Sequence, residues 1–231
     1  MNVVIIVISS IEEPYNKLES AIRRTWGNNN NNNVKIFYNY GNGSSTFIDG
    51  DKIICDCPEN IDNIGLKTIK SLELISEFDY VFRTNLSSFV NINNMIKYLQ
   101  NMPSEKFYGG MCTLNFSGEH LQKFGEGTFA SGSGYFLSKD VVNLIIDNKE
   151  LWDHSVIDDV AIAGLLKRLG ILPTLCPRID INSISNGILY YNSIPISDDD
   201  INKCYHFRCK TSGDRSGDIE IFKKLNSKLN G

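Results

Sequence analysis

At 231 residues, with 42% hydrophobic and 22% charged side chains, the chain has the composition of a globular protein and the length of one large α/β domain. A net charge of −4 excludes nucleic acid as the main partner, because binding a phosphate backbone needs a basic surface.

Val3–Ile8 is a short β-branched run followed by two serines, the pattern of a buried strand. It is too short to span a membrane, and it lacks the basic leader and the cleavage site of a signal peptide. No other run is long enough to cross a bilayer, so no membrane span is expected. Residues 12–26 carry Leu18, Ile22 and Trp26 on one stripe, with Gly27 at the end, which predicts a helix and completes a βα unit. Taken by themselves, Arg23 and Arg24 read as solvated helix charges. The six-asparagine tract at residues 28–33 is too polar to pack and is expected to be a surface loop. Val34–Tyr40 and residues 51–57 are the next strands, separated by a Gly/Ser-rich turn at 41–45. Residues 62–78 place apolar side chains at near-helical spacing, with Lys67 as either a solvated charge or a functional one.

Residues 79–91 are where chemistry is expected. An aromatic-rich apolar run turns polar at Arg83 and apolar again at Phe89. Ligands of open α/β sheets collect outside the carboxyl ends of parallel strands, so the polar stretch suits a central strand that ends at a site. Residues 91–99 read as an amphipathic helix, 106–114 as a strand and Lys139–Asp147 as a helix. Between them, Gly132 and Gly134 permit either close backbone approach or a tight packing turn. Asp158-Asp159 then opens an Ala/Leu-rich helix that stops at Gly170. Asp158 is a fair N-cap there, and Asp159 faces the positive end of the helix dipole. Strand candidates follow at 171–180 and Ile188–Tyr191. Asp198-Asp199-Asp200, the one literal triple aspartate, reads as a solvated turn, with a metal site as the alternative. In residues 204–210, period-two alternation puts His206, Arg208 and Lys210 on one strand face, and an amphipathic helix at 218–229 closes the chain. Six cysteines without Cys-x-x-Cys spacing suit free core thiols in a reducing, cytoplasmic setting, with disulfides or a zinc site as the alternative.

Several of these stretches resemble the Fringe-like and β1,3-galactosyltransferase-like enzymes, glycosyltransferase family 31. Arg83-Thr84 and Phe89-Val90-Asn91 frame a segment similar to K-T-D-D-D-x-F-V-N, with Asn85-Leu86-Ser87 in place of the three aspartates. Residues 22–26 resemble the end of R-x-x-I-R-x-T-W, and Leu66-Lys67-Thr68 resembles L-K-T. Residues 129–138 are similar to Y-x-S-G-x-G-Y-V-L-S at nearly every position, and 158–170 resemble E-D-V-x-x-G-x-x-x-x-x-L-G. His206 resembles the histidine that completes the family's metal shell.

The resemblance implies an α/β, GT-A-type fold: a single glycosyltransferase domain over residues 1–231, with a Rossmann-like nucleotide-sugar-binding half over about 1–90 and a mixed-sheet acceptor and catalytic half over about 91–231. It implies an inverting enzyme that moves a sugar from a nucleotide-diphosphate donor, a UDP-sugar, to a hydroxyl of a glycan or glycoprotein acceptor. Asp159 falls on the family's general base and Asp158 on the variable acidic position beside it. Arg23, Lys67, Arg83, Asn85, Ser87, His206 and Arg208 fall at the donor, and Ser131, Gly132, Gly134 and Tyr135 at a pocket for the acceptor or donor sugar. Two of the three metal ligands are neutral here, and hard divalent cations favour carboxylate oxygens, so no tightly bound cofactor is expected. Mn²⁺ or Mg²⁺ can still arrive with the donor diphosphate. Arg23 and Arg83, together with His206, Arg208, Lys210 and Arg215, offer charge-assisted hydrogen bonds to that diphosphate instead. The alternative is a non-catalytic sugar- or nucleotide-binding relative that has lost its metal site. Retention of Asp158-Asp159, His206 and the 131–135 string favours the enzyme.

Overall fold

The computed structural model describes residues 1–28, 30–213 and 215–230; Asn29 of the asparagine tract lies outside them. The chain forms two compact units from interleaved segments. One comprises Met1–Ser10, Asn32–Asn85 and Pro103–Cys176, and the other Ile11–Asn31, Leu86–Met102 and Pro177–Gly231. Interleaving follows from the strand pairing, since parallel neighbours need long crossover connections and so draw on segments far apart in sequence.

The first unit holds an eight-stranded mixed sheet. Its spatial order is Thr174–Leu175, Tyr108–Gly110, Gly134–Ser138, Tyr80–Asn85, Val3–Ile8, Val34–Tyr40, Lys52–Ile54 and Phe47–Asp49. Val3–Ile8 is buried along its whole length and pairs in parallel with both Val34–Tyr40 and Tyr80–Asn85. A continuous β-branched run is what such a two-sided burial requires. Tyr80–Asn85 is the expected central strand: Gly134–Ser138 runs antiparallel on its other side and sets Tyr135 opposite Arg83. The helices Ile64–Leu74, Lys139–Asp147 and Asp158–Arg168 contribute Ile69, Leu72, Val141, Ile145, Ile162 and Leu166 to one buried core with Ile6, Val81 and Leu137. Gly164 is there because the Phe124 ring leaves no room for a Cβ. Gly164→Ala is expected to cost about 1–3 kcal/mol by overpacking, read as a lower urea midpoint at unchanged m-value.

The second unit is smaller. Its sheets are Ile179–Ile181, His206–Cys209 and Ser88–Val90 in one group, and Ser183–Ser185, Ile188–Tyr191 and Ile194–Pro195 in another. Phe89 packs against Phe207 and Phe222 with ring centroids 6.1 and 6.2 Å away, and the buried Trp26 donates its indole N–H to the Ser88 carbonyl at 3.0 Å. The helix expected over 12–26 spans Tyr15–Arg23, because the Thr25 hydroxyl and the Gly27 amide turn back onto Ala21 and Ile22 carbonyls. Asp198-Asp199-Asp200 is not a loop turn but the first turn of the helix Asp198–Lys203. Ser197 caps that helix by accepting from the Asp200 amide, and the positive end of the dipole favours the three carboxylates. In the first unit, the strand expected over 51–57 shortens to Lys52–Ile54 and gains an antiparallel partner, Phe47–Asp49, through a turn in which Gly50 takes φ +60°.

Candidate active site

In the first unit, three segments converge on Arg83. This side chain is 2% exposed, in the middle of the central strand. Its Nη1 donates to the Gly132 carbonyl and its Nη2 to the Asp158 carboxylate, while the guanidinium lies over the Tyr135 ring, 5.6 Å from its centroid. A buried guanidinium demands an anion, and Asp158 supplies it from the first turn of the helix Asp158–Arg168. That overturns the capping role expected of Asp158: the helix begins after Ile157 with no side-chain cap.

Arg83 and Asp158 thereby fix the Ser131–Gly134 turn, and the turn fixes Asp159. The Gly132 amide donates to Asp159 Oδ2 at 2.9 Å. A Cβ on Gly132 would sit 3.3 Å from both Arg83 Nη1 and Asp159 Oδ2, so the glycine serves close approach rather than an unusual φ. Asn85 Nδ2 reaches the same Gly132 carbonyl at 3.4 Å, Thr84 donates to the Ser133 carbonyl at 2.6 Å, and the Ser131 and Ser133 hydroxyls lie 3.1 Å apart. Arg83, Asn85, Ser131, Gly132, Gly134, Tyr135, Asp158 and Asp159 are thus one cluster. Three polar atoms in it, Arg83 Nε, Tyr135 OH and Asp159 Oδ1, are buried without a hydrogen-bond partner among the described residues. Such atoms are costly, and they persist where function needs them. Burial pushes the Asp159 carboxyl above its ordinary value, with Asp158 adding to the rise and the Gly132 amide and Arg83 opposing it. Burial likewise raises Tyr108 and Tyr135.

Lys67 stands apart from this cluster. It is fully buried, donating to Glu59 Oε1 at 2.7 Å and to the Ser9 carbonyl at 2.9 Å, while Glu59 Oε2 accepts from the Gly41 amide at 2.5 Å. Its charge is already neutralised inside the protein, so it does not offer a free cation to a donor as its motif suggested. The pair ties together the chain just beyond two parallel strands, Val3–Ile8 and Val34–Tyr40, at the sheet edge where ligands of open α/β folds collect. Glu59 was missed because an isolated acid after Cys57-Pro58 carries no local signal. Lys67→Met should destabilise the protein by about 3 kcal/mol in urea unfolding, since it leaves the Glu59 carboxylate unpaired.

The second unit holds the other candidates. Arg23 pairs with Glu19 at 2.8 Å one helical turn away. His206 is 1% exposed, and its Nε2 lies 3.1 Å from the Ser88 hydroxyl. Arg208 shares Asp180 with Arg178. Ser87 accepts a hydrogen bond from Arg215 Nη2 at 3.0 Å through its hydroxyl, and one from the Cys209 amide at 2.6 Å through its carbonyl. A cavity of about 560 Å³ in this unit is lined by Arg24, Trp26, Asn28, Asn91, Asn93 and Asn226 among others, and contains none of the expected site residues.

The motif that carries a metal in the resembled enzymes offers poor ligands here. Leu86 is apolar and 4% exposed, Asn85 and Ser87 are neutral, and His206 Nε2 already faces Ser88. Among the described residues, no group of three or more His, Cys, Asp or Glu side chains could hold a metal ion.

The galactosyltransferase family profile matches residues 17–177, well over half of the sequence. The chain belongs to the galactosyltransferase family. Similar proteins include the human UDP-GalNAc:beta-1,3-N-acetylgalactosaminyltransferase 1, 32% identical over 42% of this chain and 35% of that protein. Mouse beta-1,3-galactosyltransferase 1 is 26% identical over 73% of this chain and 61% of its own length. The chain therefore spans less than two thirds of these curated relatives. Among solved structures, galactosyltransferase LgtC with donor and acceptor sugar analogs aligns over 100% of this chain and 97% of its own at a TM-score of 0.51 and 12% identity. A glycosyltransferase involved in glycosylation of the major capsid of PBCV-1 covers 96% and 99% at a TM-score of 0.54 and 9% identity. At such identities the likeness speaks for the fold, which is the GT-A arrangement expected from the sequence.

Proposed function

We propose that this family member is an inverting glycosyltransferase that moves a sugar from a nucleotide-diphosphate donor of the UDP-sugar class to a hydroxyl of a glycan or glycoprotein, without a tightly held metal. The observation that carries the reading is Asp159: one carboxylate oxygen is fixed by the Gly132 amide, the other is buried without a partner, and the carboxyl is raised above its ordinary value. A carboxylate raised toward neutrality is a better base than a solvated one.

In the reaction, the acceptor oxygen forms a bond to the anomeric carbon as its proton passes to Asp159. The bond from that carbon to the donor phosphate oxygen breaks, and its electron pair leaves with the nucleoside diphosphate. Attack opposite the leaving group inverts the anomeric centre. Arg83 and Asp158 position rather than react: each is nearly buried, and together they hold the turn that aims Asp159. On this reading the Ser131–Tyr135 string, with its serine hydroxyls, belongs to a pocket for the acceptor or donor sugar.

A panel of nucleotide sugars incubated with the purified chain, with EDTA or with Mn²⁺, tests the reading by release of nucleoside diphosphate. Turnover of one donor in either condition is expected. Binding of donors with no turnover, in the presence of a panel of glycan acceptors, would instead support the non-catalytic relative.

A further inference from the structure

The cavity of about 560 Å³ in the second unit has no part in the chemistry assigned to Asp159, and its walls have a chemistry of their own. Its volume falls within the roughly 300–1,000 Å³ of small-molecule sites. Six asparagines line it and no carboxylate does. The large apolar residues of the wall, Trp26, Val90 and Ile92, are each buried, so the open surface is mainly amide. Two hydrogen-bond donors of the wall are oriented from behind. Asn91 caps the helix Ile92–Leu99, its Oδ1 accepting from the Asn94 amide at 3.1 Å. The cap fixes the plane of the Asn91 side-chain amide, whose Nδ2 has no partner among the described residues. Arg24 donates from Nε to the Ser20 carbonyl at 3.0 Å and from Nη2 to the Ser20 hydroxyl at 2.7 Å, which pins one edge of the guanidinium. Its Nη1 has no partner among the described residues, and the exposed side-chain amides of Asn28 and Asn93 likewise have none.

We propose that this cavity is a carbohydrate-binding site, built from residues other than the Asp159 cluster, that holds a neutral oligosaccharide by its hydroxyls. A sugar hydroxyl donates and accepts at once, and an asparagine side chain does the same, so the match uses both ends of every amide. A phosphate or carboxylate ligand only accepts. It would leave the amide oxygens unused and would rest on Arg24 alone, whose charge at an exposed position is screened. A cation or metal finds no carboxylate in the wall, and an apolar ligand would strand the amides without hydrogen bonds. Donors held in place before the ligand arrives, as at Asn91 and Arg24, lose little freedom on binding. The inference goes beyond the transferase reading. Recognition of hydroxyls does not depend on Asp159 as a base, and the transferase reading adds only that glycans are at hand as acceptors.

The test is a titration of the isotope-labelled full chain with maltotriose, lactose and N,N′-diacetylchitobiose, and with pyrophosphate as the anionic control. It is read from the asparagine side-chain amide signals and the arginine Nε–H signals in nitrogen-edited NMR spectra. At least one saccharide is expected to move the Asn91, Asn93 and Arg24 signals with a Kd on the order of 1 mM, because its hydrogen bonds replace bonds to water. Asn93→Ala and Arg24→Gln should each weaken that saccharide by about threefold or more, and together by about tenfold or more, the scale of one or two hydrogen bonds. Both positions are exposed, so the melting profile should stay that of wild type, and Asn91 is left intact as the helix cap. No shift with any of the saccharides, shifts that the two variants do not weaken, or stronger shifts with pyrophosphate would each overturn the proposal. The two readings fail separately. Saccharide binding that the variants lose, with no sugar transferred from any donor, leaves the cavity site and removes the enzyme. Sugar transfer with no saccharide at these side chains leaves the enzyme and removes the cavity site.

Discussion

Asp159→Asn is expected to lower kcat for sugar transfer by about 10²–10⁴-fold, the usual contribution of a positioned general base, while leaving UDP affinity within twofold of wild type. The amide still accepts from the Gly132 amide, so the turn keeps its place. Stability should move the other way. Burial raises the folded-state carboxyl above its unfolded value of about 3.9, so the protonated form contributes stability that is fully present below that value and lost as pH rises through the higher folded value. Above the raised folded value the ionised, buried Asp159 is a net cost, and there the neutral variant should melt a few degrees higher than wild type. The difference should disappear below about pH 3.9. The wild-type pH–rate profile should show an acidic limb displaced upward from an ordinary carboxylate. Retained turnover in the asparagine variant would remove Asp159 from the base role. A lowered melting temperature at pH 7 would mean that the unpartnered Oδ1 is satisfied in solution.

Arg83→Leu carries the largest expected loss of stability, about 3–5 kcal/mol, or on the order of 10 °C in Tm for a chain of this size. The substitution leaves the Asp158 carboxylate nearly buried without its ion-pair partner, and removes the donor that holds the Gly132 carbonyl. Arg83→Leu/Asp158→Leu should recover much of that loss, because replacing a buried ion pair with apolar side chains is often close to neutral. A double-mutant cycle by urea unfolding gives the coupling. Arg83→Lys should not rescue, since one ammonium cannot reproduce a planar fork that serves a carbonyl and a carboxylate at once. A single leucine variant melting within 2 °C of wild type would show that the ion pair contributes little to stability.

Much of the site was legible as strings of residues. The glycines at 132 and 134, the acid pair at 158 and 159, and the polar break after Arg83 all marked positions that the fold brings together in one cluster. What the strings did not carry was direction. Asp158 looked like a helix cap because capping is the local use of an acid before an apolar helix; the structure gives it to an arginine 75 positions away. Lys67 looked like a charge offered outward, because a lysine on a helix is usually solvated; here Glu59, eight residues earlier, neutralises it in the interior. His206 appeared on one strand face with Arg208, yet it is buried against Ser88 while Arg208 turns to Asp180.

The sequence by itself determined the element types and the burial faces: Val3–Ile8 as a fully buried strand, Tyr80–Asn85 as the central one, Lys139–Asp147 and Asp158–Arg168 as core helices, and the family through its motif strings. These follow from periodicity, which is local and is written into neighbouring residues. The tertiary structure alone decided which charge meets which. Arg83 finds Asp158, Lys67 finds Glu59, and Arg215 finds Asp218 and Ser87 because strand order and crossovers bring distant segments to one place, and a charge removed from water must then take whatever counter-charge or dipole lies within reach.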